Sequence, residues 1–156
     1  MNGDLQGKPT GPLHGVPVGV KDIFDTADMP TENGSVLYAG RTPSRDAAVI
    51  AMLRAAGAVI MGKTVTTEFA YFSLVRRAIP ITQSTRRAVL PADHAAAVAA
   101  DMVPLALGSQ TNGSTIRPAA YCGVIGFKPT HGMISRQGIL ALSRTLDHVG
   151  LFARTY

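Results

Sequence analysis

A helix followed by an apolar strand occurs twice in this chain, and this repeated order constrains the fold most. In the first occurrence, Ser44 is a candidate N-cap, Gly57 is placed to end the helix, and 58–61 is predicted as a short buried strand. In the second, 95–100 is rich in helix-forming alanine and 103–107 is predicted as a buried strand. Helices that alternate with apolar strands predict an α/β domain with a mostly parallel sheet.

The remaining segments fit around these two units. An apolar strand is predicted at 16–20, further strands at 124–127 and 139–142, and a loop of small polar residues at 108–114. The chain has 156 residues, of which 46% are hydrophobic and 16% charged, enough to form one packed core. No composition shift marks an internal boundary, so a single domain over residues 1–156, or part of one, is predicted.

Several classes of protein are excluded by what the sequence lacks. The sequence contains no run of about 18 apolar residues, so no membrane-spanning helix is predicted, and the N-terminus does not resemble a signal peptide. Cys122 is the only cysteine, which favours a reducing, cytoplasmic location over a disulfide scaffold. The four histidines are scattered without metal-ligand spacing, and no nucleotide P-loop or Gly-x-Ser-x-Gly elbow is present.

The net charge of +5 does not indicate a nucleic-acid partner. Arg76, Arg77, Arg86 and Arg87 together with Asp93 account for +3 of this charge, which leaves +2 for the rest of the chain. No basic stripe with interleaved aromatic residues follows, so binding to a phosphate backbone is not expected.

After these exclusions, one lysine and one serine remain as candidates for catalytic chemistry. Lys21 follows the predicted strand at 16–20, and Ser114 closes the loop at 108–114. Taken alone, Lys21 is interpreted as a surface lysine and Ser114 as a turn or N-cap hydroxyl. Composition and spacing do not go beyond those interpretations.

Longer motifs support a more specific interpretation. The run Gly11-Pro-Leu-His-Gly-Val-Pro-Val18, followed by Val20-Lys21-Asp22, resembles the first motif of the amidase signature family. Leu105-Ala-Leu-Gly-Ser-Gln-Thr-Asn-Gly-Ser114 is similar to the loop that carries the family's nucleophile. Further matching segments follow in the same order, at 117–123, 126–130, 146–148 and 152–155.

The resemblance implies an α/β/α sandwich that hydrolyses amide bonds without a cofactor or metal. The family's triad consists of a lysine, a serine preceded by a cis peptide, and a nucleophilic serine. Carried over by motif, Lys21 would be the base, Ser114 the nucleophile, and the backbone N–H groups of Thr111, Asn112, Gly113 and Ser114 the oxyanion donors. The substrate would be a small-molecule amide.

The bridging serine of this triad is missing from the chain. The family carries Gly-Gly-Ser-Ser-Ser-Gly-Ser before the helix that is predicted from Ala95, and its first serine is the bridging one. In this chain residues 88–94 are Ala-Val-Leu-Pro-Ala-Asp-His, which puts Leu90 at the bridging position. Because an isobutyl group cannot carry a proton, the chain as written is expected to be close to inactive.

A shifted reading frame would account for this segment. Codons for Arg87 to His94 can be chosen so that the frame starting at the third base encodes Gly-Gly-Ser-Ser-Ser-Gly-Ser. We therefore expect 74–94 to be a family segment translated out of frame. Two smaller departures are Asn112 and Asp101, each in place of a usual glycine. Asparagine tolerates left-handed backbone geometry, and an acid near a helix C-terminus is mildly unfavourable.

The match covers only the middle of a family member, which normally has several hundred residues. A partial sheet would leave apolar faces and strand edges uncovered, so self-association is expected. The alternative to an impaired hydrolase is a non-catalytic remnant that acts through protein–protein contact.

Overall fold

The computed structural model describes residues 11–71 and 93–155. In these ranges no helix has the length and apolar character needed to cross a membrane. Short 3-10 helices lie at Val36–Tyr38 and Glu68–Ala70. The regular elements are β1 (Pro17–Lys21), α1 (Ala48–Ala55), β2 (Val59–Thr64), α2 (Asp93–Ala99), β3 (Leu105–Gln110), α3 (Ile116–Cys122), β4 (Ile125–Phe127) and β5 (His148–Ala153).

The five strands form one mixed sheet in the order β2-β1-β3-β5-β4. The pairs β1–β2 and β1–β3 are parallel, whereas β5 runs antiparallel to both β3 and β4. Val20 lies opposite Leu107 in the pairing of β1 with β3. This register puts the carboxyl ends of the two central parallel strands side by side, where ligands bind in open α/β sheets.

Helices cover both faces of the sheet. On one face, Val49 and Ile50 of α1 pack against Val18, Val20 and Leu107. On the other face, apolar residues of α2 and α3 pack against the sheet. These are Ala95, Ala97, Val98 and Ala119, with Ala106 and Phe152 as their sheet partners. The predicted α/β sandwich is therefore confirmed, with a mixed sheet.

The first predicted helix starts later than the sequence indicated. It begins at Ala48, its N-cap is Ala47, and no side chain caps it, so the prediction of Ser44 as N-cap is wrong. Asp46 instead accepts hydrogen bonds from the Ala27 N–H and from Arg54. Gly57 does follow the helix in a left-handed conformation, with φ of 91°, as predicted.

Two strand predictions also need correction. The strand at 58–61 was expected to be buried, but β2 is an edge strand in which Val59 is 46% and Met61 59% exposed. Residues 139–142 do not form a strand, since Ile139 makes only an isolated bridge to Phe24. The antiparallel partner of β3 is instead β5, which the sequence did not predict.

Candidate active site

Lys21 is the last residue of β1, and its side chain is almost completely buried, with 1% of its surface exposed. Its Nζ donates a hydrogen bond of 2.9 Å to Ser109 Oγ in β3. Burial lowers the pKa of Lys21 to about 8, and the negative charge of Asp147 partly opposes this lowering. A lysine in this state is neutral in an appreciable fraction of molecules near neutral pH and can act as a base.

Ser114 lies in the loop between β3 and α3 and is half-buried. The Gln110 side chain organises this loop, because its Oε1 accepts hydrogen bonds from the N–H groups of Thr115 and Ile116 at 3.0 and 3.1 Å. These two bonds occupy donors at the start of α3. The loop carrying Ser114 is therefore tied at both ends to Gln110.

Within the described ranges, the backbone N–H groups of 111–114 make no hydrogen bond. These N–H groups are therefore available as hydrogen-bond donors, which is one requirement of an oxyanion site. Asn112 is exposed and does not adopt a positive φ, so its expected left-handed geometry is not observed. Asp101, by contrast, has φ of 58° and occupies the left-handed region.

His94 lies close to both Lys21 and Ser114, the two catalytic residues that the family motifs predict. Its side chain is completely buried, and among the described residues neither ring nitrogen makes a hydrogen bond of normal geometry, although the Ser114 backbone lies close enough to influence the ring. Burial lowers the pKa of His94 to about 3. The charge of Lys21 adds to this lowering, and the Ser114 backbone opposes it. The imidazole is therefore neutral at physiological pH.

Asp147 connects the serine loop to a turn before β5. Its Oδ1 accepts a 2.5 Å hydrogen bond from Thr111 Oγ1, and its Oδ2 accepts 2.8 Å bonds from the N–H groups of Leu142 and Ser143. The carboxylate is buried and acts on Lys21 through its charge. A cleft of about 190 Å³ adjoins this group and includes Ser109, Thr111 and Asp147 in its wall.

Several residues singled out from the sequence lie outside the described residues. They include Leu90 and the arginines at 76, 77, 86 and 87. The described ranges contain no cis peptide bond and no group of three residues suited to hold a metal ion.

Ser109 and His94 were not singled out as site residues from the sequence. Ser109 contacts Lys21 because Val20 pairs with Leu107. This strand register cannot be predicted from the local sequence of either strand. His94 is at the start of α2 and lies against Phe152, with ring centroids 4.6 Å apart. The prediction that places Ser109 in the loop at 108–114 is wrong at the start of this range, because β3 continues to Gln110.

Comparison with known proteins agrees with this fold. The family model described as Amidase matches residues 1–89 and 92–156. A glutamyl-tRNA(Gln) amidotransferase chain from Acidothermus cellulolyticus is 44% identical over 155 residues, covering 96% of this chain and 31% of that protein. The putative amidase AmiD of Mycobacterium tuberculosis is 42% identical over 154 residues, which cover 96% of this chain and 32% of that protein.

Solved structures show the same likeness. An amidase family protein from Bacillus anthracis superposes with a TM-score of 0.82 and 35% identity, over 93% of this chain and 32% of that one. Native peptide amidase from Stenotrophomonas maltophilia superposes with a TM-score of 0.79 and 36% sequence identity, over 94% of this chain and 32% of that one. The chain thus spans about a third of the length of these relatives. On the match of sequence and fold together, the chain belongs to the amidase family.

Proposed function

We propose that this chain carries part of the catalytic centre of a hydrolase of linear amide bonds. Lys21 is the general base, Ser114 is the nucleophile, and the N–H groups of Thr111, Asn112, Gly113 and Ser114 hold the oxyanion. The observation that carries the proposal is the buried Lys21 amine, whose pKa is lowered to about 8 at the strand end beside the serine loop. The unpaired N–H groups of that loop support it further.

The reaction would proceed through an ester on Ser114. As Ser114 Oγ attacks the amide carbonyl, its proton passes through a bridging hydroxyl to Lys21, and the oxyanion accepts hydrogen bonds from the loop. When the carbon–nitrogen bond breaks, the proton returns to the leaving amine. Water then hydrolyses the ester and regenerates Ser114.

The chain as written is proposed to be severely impaired in this reaction. Leu90 stands at the bridging position, and a leucine side chain neither accepts nor donates a proton. Ser109 does not fill the gap, because its hydroxyl contacts Lys21 but makes no hydrogen bond to Ser114 among the described residues. General acid–base catalysis contributes about 10²–10⁴-fold, so a loss of that order is expected.

A repaired chain tests this proposal. Residues 88–94 are replaced by Gly-Gly-Ser-Ser-Ser-Gly-Ser, and hydrolysis of a panel of simple amides is compared with that of the unaltered chain. The repaired chain should be faster by about 10²–10⁴-fold, and Ser114→Ala in it should remove the gain. Equal rates before and after the repair would refute the role given to Leu90. The nucleotide sequence over 74–94 tests the shifted frame directly.

A second candidate is a non-catalytic protein that works through contact with another chain. It is favoured by apolar side chains on the surface, namely Val59 and Met61 on the edge strand and Val36 and Leu37, which are 88% and 79% exposed. Concentration-dependent association that Met61→Lys abolishes, with no amide hydrolysis by the repaired chain, would support this candidate over the hydrolase.

A further inference from the structure

The contact between Lys21 and Ser109 joins two residues that are 88 positions apart in the sequence. Their strands are adjacent and parallel, with Val20 opposite Leu107, so both side chains reach the same end of the sheet. Both residues are buried. In the described part of the chain, the 2.9 Å bond to Ser109 Oγ is the one hydrogen bond of the Lys21 amine.

Ser109 also borders a cleft of about 190 Å³. Its polar lining residues include Thr111, Asp147 and His148, together with Arg136 and Arg144. The other lining residues are the apolar Ile139, Leu140, Ala141 and Leu142. Ser109 is one of the residues that line this cleft, and Ser114 is not.

The protonation state of Lys21 decides what the Ser109 hydroxyl does. When the amine is charged, it donates its hydrogen bond to Ser109 Oγ. When the amine is neutral, it has a lone pair that can accept, and the Ser109 proton has no other acceptor among the described residues. The hydroxyl then donates to the amine, which is the arrangement of a nucleophile with its base.

We propose that Lys21 and Ser109 form a Ser–Lys pair of their own, in which Ser109 attacks small, negatively charged acyl donors bound in the cleft beside Arg136 and Arg144. The inference rests on the base role proposed above for Lys21 but not on Ser114. Nothing bridges the two groups, so the pair is independent of Leu90. Serine and lysine alone serve as nucleophile and base in several unrelated hydrolases.

The atoms balance in each step. Ser109 Oγ forms a bond to the carbonyl carbon while its proton moves to Lys21 Nζ. The bond from that carbon to the leaving nitrogen or oxygen then breaks, and the leaving group takes the proton from Lys21. Water loses a proton to Lys21 and attacks the Ser109 ester, which releases the acid and restores the serine.

Charge and size define the substrate class. Arg136 uses Nη1 to donate a hydrogen bond of 3.3 Å to the Ser143 carbonyl, which lies between two residues of the lining, Leu142 and Arg144. The Asp147 carboxylate lines the same cleft, but both its oxygens already accept hydrogen bonds from Thr111, Leu142 and Ser143. The two arginines outnumber this one carboxylate, so the lining favours an anionic ligand. A volume of about 190 Å³ is smaller than the pockets of about 300–1,000 Å³ that hold drug-sized ligands.

A small fluorophosphonate tests the pair in the unaltered chain. Attack by Ser109 forms an oxygen–phosphorus bond, expels fluoride and leaves the proton on Lys21. Trypsin cleavage after Arg87 and Arg136 gives one peptide that contains both Ser109 and Ser114, because proline follows the basic residues at 117 and 128. Fragment masses locate the adduct within this peptide. We expect it on Ser109, formed at a rate that rises with pH around a midpoint of about 8.

Variants separate the pair from general reactivity. Ser109→Ala should abolish the adduct, Ser109→Thr should retain a slower reaction, and Ser135→Ala, at an exposed position, should leave the rate unchanged. Arg136→Gln should slow acylation at least several-fold for a p-nitrophenyl ester that carries a carboxylate, and not for a neutral one. Thermal unfolding checks that each variant is folded.

The possible results have different consequences for the two proposals. An adduct on Ser114 would overturn the Ser109 pair and support Ser114 as the nucleophile. No adduct on either serine would also overturn the pair, whereas the amide-hydrolase proposal would still be decided by the repaired chain. An adduct on Ser109 whose rate is independent of pH between 6 and 10 would overturn the role of Lys21 in the pair.

Discussion

Thr111 donates a 2.5 Å hydrogen bond to the Asp147 carboxylate, which fixes the serine loop to the turn before β5. The same carboxylate binds two backbone N–H groups and raises the pKa of Lys21 through its charge. One buried aspartate therefore positions the loop and also influences the candidate base. These two effects can be separated by substitution.

Asp147→Asn should lower the pKa of Lys21 further, because it removes a negative charge and keeps the shape of the side chain. The pH midpoint for chemical modification of Lys21, followed by peptide mass spectrometry, should move downward by a measurable fraction of a unit or more. Thr111→Val is the matched control, since it breaks the hydrogen bond but leaves the charge. It should reduce stability by about 0.5–1.5 kcal/mol without moving the midpoint, and a shift of equal size in both variants would contradict this assignment.

Burial of Lys21 should make the protein more stable as the pH rises from about 8 to 10.5. Over this range the amine is neutral when folded, whereas it keeps its proton when unfolded, so the unfolded state binds more protons. Below pH 8 both states are protonated, and burial of the charge costs on the order of 3 kcal/mol. Above 10.5 both are neutral, and the cost is absent.

Lys21→Met removes this dependence and measures it. In urea unfolding at pH 7, 8.5 and 10.5, the variant should be more stable than the unaltered chain at pH 7, and the difference should shrink toward pH 10.5. Lys128→Met, beyond β4 at the other edge of the sheet, controls for the loss of one positive charge. A constant difference across these pH values would show that the Lys21 pKa is not lowered by folding.

The strands that carry Lys21 and Ser109 were largely predictable, but their contact was not. Apolar runs end near Lys21 and Leu107, and such runs indicate buried strands. The distance between the two side chains depends on the pairing of Val20 with Leu107, which is set by packing far along the chain. The same holds for β5, where Gly150 and a half-buried His148 interrupt any simple pattern.

The catalytic assignments came from motifs and not from periodicity. Ser114 has no local feature that separates it from an N-cap serine, and only the ordered motifs around it point to a nucleophile. His94 could not be recognised at all, because its complete burial arises from packing against Phe152 and the close approach of Gly108. A histidine at the start of a helix is ordinarily assigned to the surface.

His94→Leu should stabilise the protein and reduce its sensitivity to acid. Apart from the nearby Ser114 backbone, the ring nitrogens have no partner among the described residues, and a buried polar group without a partner costs about 1–3 kcal/mol. Leucine fills a similar space without polar atoms. In the folded protein the pKa of His94 is about 3, whereas in the unfolded chain it is about 6.5. Between these pH values only the unfolded state binds a proton at His94, so the stability of the fold falls as the pH drops from 6.5 toward 3.

The measurement is the free energy of unfolding of His94→Leu and the unaltered chain between pH 7 and 4. The stabilisation should grow as the pH falls, and His14→Leu, at an exposed position, controls for the loss of an imidazole elsewhere in the chain. Equal acid sensitivity with and without the His94 imidazole would contradict its buried, neutral state.

Asp101→Gly should raise stability by about 0.5–1 kcal/mol. Asp101 follows α2 with φ of 58°, a conformation that costs a residue with a side chain more than glycine. Its ion pair with Arg154 is exposed, with side-chain accessibilities of 65% and 52%, and exposed pairs contribute about 0–1 kcal/mol. The backbone gain should therefore outweigh the lost pair.

Asp101→Asn tests the two contributions separately, because asparagine tolerates the left-handed region but carries no charge. In thermal unfolding it should lie close to the unaltered chain, and a glycine variant less stable than the asparagine variant would show that backbone strain at this position is negligible.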